Sequence, residues 1–135
     1  MRRRELLKIP KWCNNPIGVN ILDISKREEG CYVTGADANR FGATKPYNGY
    51  AVSGYIKVIP GEVYRATWTK GSSTGWGMAC TYSKDKIWLG NLNRTTYHSA
   101  DEIFTIPENC YYIRLDLDEI SKLTEQGVIT LVRIS

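Results

Sequence analysis

Two stretches of this chain constrain its fold more than any other feature. Ser53-Gly54-Tyr55-Ile56-Lys57-Val58-Ile59-Pro60-Gly61-Glu62-Val63-Tyr64 and Phe104-Thr105-Ile106-Pro107-Glu108-Asn109-Cys110-Tyr111-Tyr112-Ile113-Arg114-Leu115 each set a proline turn between strand-like runs. Alternation with a period of two marks a strand with one buried face, and a proline turn between two such strands writes an antiparallel sheet. Tyr50 to Val58 reads as one strand. It puts Tyr50, Val52, Gly54, Ile56 and Val58 on one side and Ala51, Ser53, Tyr55 and Lys57 on the other, with Ile56 and Val58 facing the core. Pro60-Gly61 suits the centre of a type II turn, because proline presets φ at the first position and glycine accepts a positive φ at the second. Val63 to Thr69 is then expected as the partner strand of a hairpin.

Shorter candidates complete the pattern. Asn20 to Ile24 and Cys31 to Thr34 flank the charged turn Lys26-Arg27-Glu28-Glu29-Gly30, and Gly35 to Gly49 reads as loop. Trp76 to Ser83 turns through Lys84-Asp85-Lys86 into Ile87-Trp88-Leu89. Ile103 to Ile106 and Tyr111 to Leu117 flank the Pro107 turn, and Val128 to Ile134 is a hydrophobic last strand. Asp118 to Gln126, with Ile120 and Leu123 three apart, reads as a helical turn or short helix. About eight or nine strands with turns every 8 to 12 residues make an all-β, antiparallel β-sandwich of jelly-roll kind; a parallel α/β fold would need repeated amphipathic helices. A length of 135 residues is one domain, and 42% apolar against 24% charged residues writes a packed core rather than a disordered chain. No apolar run approaches the length of about 18 residues that spans a bilayer, so no membrane partner is expected.

The domain division follows from the N-terminus. Positions 1–19 contain Pro10, Pro16, Gly18 and Asn14-Asn15 without either periodicity, so they read as an extended arm on a sandwich of residues 20–135. Leu6, Leu7, Ile9 and Trp12 are too apolar for a free tail and are expected to anchor the arm on the domain or on a neighbouring subunit. Of 18 basic and 14 acidic residues, five basic (Arg2, Arg3, Arg4, Lys8, Lys11) and one acidic (Glu5) lie in the first eleven positions, which leaves 13 of each sign. A neutral body behind a basic leader argues against a nucleic-acid-binding domain, whose charge lies along a face of the fold. Only three apolar residues separate the arginines from Pro10, too few for a signal peptide.

Catalytic patterns are thin, and no enzymatic activity is expected. The single histidine, His98, has no paired nucleophile, and no nucleophile elbow, phosphate-binding loop or H-E-x-x-H occurs. Asp116 and Asp118 share one face of a strand end, which suits a solvated terminus better than a glycosidase pair. Cys13, Cys31, Cys80 and Cys110 have no C-x-x-C spacing, so zinc is not expected, and in a reducing cytoplasm the thiols stay reduced as small apolar groups.

The quoted stretches also look familiar. "GYIKVIPGEVYRATW", followed about 40 residues later by "FTIPENCYYIRLDL", resembles the small jelly-roll, carbohydrate-binding-module-like domains of bacteriophage tail, baseplate and fibre proteins. The resemblance covers roughly residues 50 to 134, and its motifs are mainly fold motifs. It implies a virion structural protein made in the host cytoplasm, a capsid- or tail-decorating or connecting domain. Its implied partners are other virion proteins, in a homo-oligomeric or multi-copy assembly, and host-surface carbohydrate. A free-standing carbohydrate-binding module, or an accessory subunit of a glycan-active enzyme, is the alternative. Modules of this kind often hold calcium. Asp37, Asn39, Asp116, Asp118 and Glu119 are suitable oxygen donors but match no ion-binding loop, so no cofactor is expected.

A glycan site needs exposed rings beside short polar groups, since sugar C–H faces stack on aromatics while hydroxyls take hydrogen bonds. Trp76 after a Gly/Ser loop, Trp88 after a charged turn, and Tyr97 beside Asn93 and Arg94 have that company and are the candidate carbohydrate-binding residues.

Overall fold

The two proline turns lie side by side and do the same topological work. In the computed structural model, which describes residues 12–33, 44–68, 79–92, 101–119 and 126–135, nine strands form two antiparallel sheets that pack as a β-sandwich. The larger sheet runs β1 (Glu28–Val33), β2 (Thr44–Val52), β8 (Tyr112–Glu119), β5 (Ala79–Tyr82) and β6 (Trp88–Asn91), with β3 (Ile56–Lys57) also paired to β8. The smaller runs β7 (Asp101–Thr105), β4 (Val63–Trp68) and β9 (Ile129–Arg133).

The hairpin expected across Pro60-Gly61 does not form. Strand β3 pairs with β8, whereas β4 pairs with β7 and β9, so the turn carries the chain from one sheet to the other. The Pro107 turn does the same between β7 and β8. The crossings are tied together, Gly61 N–H donating to the Ile106 carbonyl and Ile106 N–H to the Glu62 carbonyl, each at 2.9 Å. The turn itself has the expected chemistry: Glu62 N–H donates to Ile59 O at 3.1 Å, and Gly61 has φ +83°. A Cβ on Gly61 meets nothing within 4 Å, so a substitution there is penalised by backbone conformation alone. Gly61→Val is expected to lower stability by about 1 kcal/mol or more, read as a shift of the denaturant midpoint at unchanged slope.

Between the sheets lies one core, to which β8 contributes Ile113, Leu115 and Leu117, β4 Tyr64 and Ala66, and β9 Ile129 and Leu131. Val58 is fully buried in it and Ile56 packs against it, as the alternation predicts. Alternation across the paired residues Ala79↔Leu115 and Cys80↔Arg114 sends Cys80 and Arg114 to the opposite face of the larger sheet. A second cluster, Cys31, Val52, Cys80 and Tyr82, is buried there, with Trp88 and Tyr112 packed against it.

Four further expectations change. Asn20 to Ile24 forms no strand: Asn20 makes a single bridge, and Ile24–Lys26 is a short 3-10 turn capped by Asp23. Positions 44–49 belong to strand β2 rather than loop, with Gly49 at φ +89°. Strand β1 begins inside the charged turn, at Glu28, because a bulge at Gly30 (φ +81°) lets the chain pair on both sides of it. Asp118, expected to open a helical turn, continues β8 opposite Ala51. The rest of that helical reading, at 120–125, lies outside the described residues.

Of the N-terminal arm, 12–19 is described and lies on the domain. Ile17 bridges to Arg133 and Asn20 to Val132, extending the smaller sheet at β9. Asn15 is buried, its Nδ2 donating to Lys57 O at 3.0 Å and to the Tyr64 hydroxyl at 2.7 Å. Trp12, grouped from sequence with the anchoring residues, rests on its own chain: its indole N–H donates to Tyr111 O at 3.1 Å. Leu6, Leu7 and Ile9 lie outside the described residues.

Candidate functional site

Strand alternation breaks at Ser53, and the break builds the most distinctive surface of the molecule. Ser53 N–H keeps its ladder bond to Leu115 O at 2.8 Å, but the returning bond, from Leu115 N–H, goes to the Ser53 hydroxyl at 2.8 Å. The Ser53 carbonyl thus displaced is taken by Arg114 Nε at 2.9 Å. Gly54 follows where the Lys26 carbonyl would stand 3.3 Å from a Cβ, so a side chain there is crowded. This detour interrupts the strand at 53–55 and lifts Tyr55 onto the outer face of the larger sheet, 41% exposed.

Around Tyr55 the fold gathers a ribbon of rings. Tyr55 meets Tyr82 at 5.0 Å and Tyr112 at 5.9 Å between centroids, and Trp12 meets Tyr112 at 5.3 Å and Tyr111 at 5.2 Å, all edge to face. Cations cover the ring faces. Lys86 Nζ lies 4.9 Å from Tyr55 and 5.2 Å from Tyr112, Lys84 Nζ 5.5 Å from Trp12, Lys57 Nζ 5.0 Å from Trp12, and the Arg114 guanidinium 4.8 Å from Tyr55. Lys84 and Lys86 reach the rings from the β5–β6 turn, where Lys86 N–H donates to Ser83 O at 2.9 Å and Ile87 N–H to the Ser83 hydroxyl at 3.1 Å. Lys86 has φ 64°, the left-handed conformation that glycine or asparagine adopts more readily.

Beside the ribbon runs an open groove of about 400 Å³, lined in part by Asn14, Asp23, Lys26, Tyr55 and Lys57. Asp23 is held by Ser25, whose hydroxyl and N–H both donate to Oδ1 at 2.6 and 3.0 Å; these bonds lower the Asp23 pKa. An exposed ring next to short amide and carboxylate side chains is the arrangement that takes a sugar: a C–H face on the ring, hydroxyls on the polar groups. A second group of rings, Tyr32, Tyr47 and Tyr50, lies on β1 and β2, with Tyr47–Tyr50 centroids 4.5 Å apart and Tyr47 53% exposed.

Of the candidate carbohydrate-binding residues, Trp88 alone is among the described residues. Trp88 is half-buried on β6, packed against the outer cluster. Trp76, Asn93, Arg94 and Tyr97 lie outside the described residues, as do Asp37 and Asn39. Sequence reasoning missed Tyr55, Tyr111, Tyr112, Lys57, Lys84 and Lys86. Its one local signal was the Tyr111-Tyr112 pair with lysines on both sides of Asp85, and nothing local says that these share a face.

None of the four cysteines forms a disulfide. Burial pushes the Cys80 thiol up to about 11, against the opposing hydrogen bond of Trp88, and Cys110 likewise to about 11; Cys13 and Cys31 are raised for the same reason. Such thiols are protonated at neutral pH and pack as apolar groups. Among the described residues no cluster of His, Cys, Asp or Glu is arranged to hold a metal, and no helix is long and apolar enough to cross a membrane. In comparisons with known proteins, no family model, no curated protein and no solved structure matches the chain.

Proposed function

We propose that this chain is a non-enzymatic structural protein of a bacteriophage particle, a sandwich of jelly-roll type that decorates or connects the capsid or tail and binds host-surface carbohydrate. The virion assignment rests on the resemblance of the two proline-turn stretches. The observation that carries the binding activity is the groove in which the exposed Tyr55 ring stands beside Asn14 and Asp23. One ring stacked on a sugar contributes on the order of 1 kcal/mol, so useful affinity comes from many copies on one particle. Anchoring falls to Leu6, Leu7 and Ile9, because Trp12 is engaged by Tyr111 and Tyr112.

Two measurements test this. Mass spectrometry of purified particles should find the chain in many copies, and its absence from particles while it accumulates in the lysate would sink the virion role. A chain lacking residues 1–11 should keep its melting midpoint but fail to enter particles; normal incorporation would remove the anchoring role. On a glycan array, the full chain displayed multivalently should bind, and Tyr55→Ala should lose the signal while remaining folded.

A further inference from the structure

We infer that the ribbon from Trp12 to Tyr82, with Lys57, Lys84 and Lys86 over its rings, is the subsite for an acidic sugar, so that the glycan recognised is an anionic polysaccharide. This rests on the carbohydrate-binding part of the proposed function and names its substrate class.

Three observations carry it. The first is charge placement: Lys57, Lys84 and Lys86 are all exposed, and each holds its ammonium 4.9 to 5.5 Å from the centroid of at least one ring of the ribbon. The described ion pairs are Arg27–Glu29, Arg65–Asp101, Arg114–Glu28 and Arg133–Glu62, and none of them engages these lysines. Ammoniums gathered over a hydrophobic floor are a ready counterpart for a carboxylate or sulfate on a sugar whose C–H face rests on the rings.

The second observation is the backbone of Lys86, a residue other than glycine held at φ 64°. A left-handed lysine is disfavoured conformationally, and such outliers cluster at binding sites. The conformation sets the Lys86 ammonium above Tyr55 and Tyr112. The third is continuity: Tyr55 and Lys57 belong both to the ribbon and to the groove, so one chain of sugars can run from the groove, beside Asn14, onto the cationic ribbon. Three carboxylates oppose an anion here, Asp23 in the groove, Asp85 in the turn and Glu28, whose charge is matched by Arg114. Against them stand Lys26, Lys57, Lys84 and Lys86, so the balance is positive.

Single-stranded nucleic acid, the other polyanion that uses rings and lysines, fits less well. Its bases stack on open ring faces along a basic track. The body beyond the leader carries as many acidic as basic residues, which does not make a track of that kind.

The test is calorimetric titration of the full chain with oligogalacturonate, the matching neutral oligogalactose, a sulfated galactose oligomer and oligo-dT, at low and at molar salt. The acidic oligomers should bind, the salt should weaken them several-fold, and the neutral oligomer should bind at least tenfold more weakly. Preference for oligogalacturonate over the sulfated oligomer, or the reverse, identifies the acid group, and either supports the inference. Lys84→Gln with Lys86→Gly should weaken acidic-oligomer binding about five- to tenfold. The melting midpoint should not fall, because glycine relieves the left-handed position. Equal binding of the neutral oligomer, insensitive to both lysines, overturns the acidic-sugar inference and leaves the carbohydrate reading standing. No binding of any oligosaccharide overturns both, and tighter binding of oligo-dT overturns both in favour of nucleic acid.

Discussion

Arg114→Ala should destabilise the domain by about 2–4 kcal/mol, although Arg114 lies outside the main core. Its side chain is 7% exposed, and Nε donates to the Ser53 carbonyl, the acceptor that the strand detour removes from the ladder. Without the guanidinium that carbonyl stays buried with no donor, which costs about 1–3 kcal/mol. Loss of the contact over Tyr55 and of the buried aliphatic stem adds about 1 kcal/mol more. The ion pair to Glu28 at 3.2 Å is the smaller part, because Glu28 is 55% exposed and water screens it. Glu28→Gln should therefore cost under about 1 kcal/mol. Arg114→Lys should restore only part of the loss, since an ammonium cannot place one donor on Ser53 and another on Glu28 in the same fork geometry. Urea unfolding of the three variants checks the ordering, and a loss below about 1 kcal/mol for Arg114→Ala would refute the stapling role.

The second large effect is expected at Asn15, where Asn15→Ala should cost about 2 kcal/mol and loosen the described part of the arm. Its Nδ2 reaches Lys57 O and the Tyr64 hydroxyl, and that hydroxyl also accepts from Ile59 N–H at 2.9 Å. One phenol thus joins the arm, the Pro60 crossing and the core. Tyr64→Phe strands both donors and should cost about 1–3 kcal/mol. The two changes remove the same bond, so their combination should fall short of additivity by at least about 1 kcal/mol in a double-mutant cycle. Exchange of the Gly18 and Ile21 amides, bonded to Arg133 O and Leu131 O, should quicken in Asn15→Ala. Additive losses with unchanged exchange would mean that the arm is held by its backbone bridges alone.

Those expectations could not have come from strand patterning. A continuous strand from Tyr50 to Val58 is the natural reading of its alternation, and it assigns Tyr55 and Val52 to opposite faces. In the fold Tyr55 packs on Tyr82, a member of the same outer cluster as Val52. The reason is a hydroxyl and a guanidinium, from Ser53 and Arg114, that replace ladder groups 61 and 62 residues apart in sequence. The partners of Trp12 were not legible either, for Tyr111 and Tyr112 lie about a hundred residues along the chain.

The sequence by itself determined the all-β class, the antiparallel sense of the strands, most strand positions and the positive φ of Gly61. Each of these is a local property, set by side-chain alternation or by the conformations that one or two residues can adopt. Only the tertiary structure decided which strands pair. A type II turn serves equally in a hairpin and in a crossing between sheets; here the choice fell to long-range bonds such as those joining Gly61 to Ile106 and Ile56 to Ile113. The ribbon of rings and lysines is of the same kind. Its members come from an N-terminal segment, a strand detour, a tight turn and a strand start, and only the closing of the sandwich sets each within 6 Å of a neighbour.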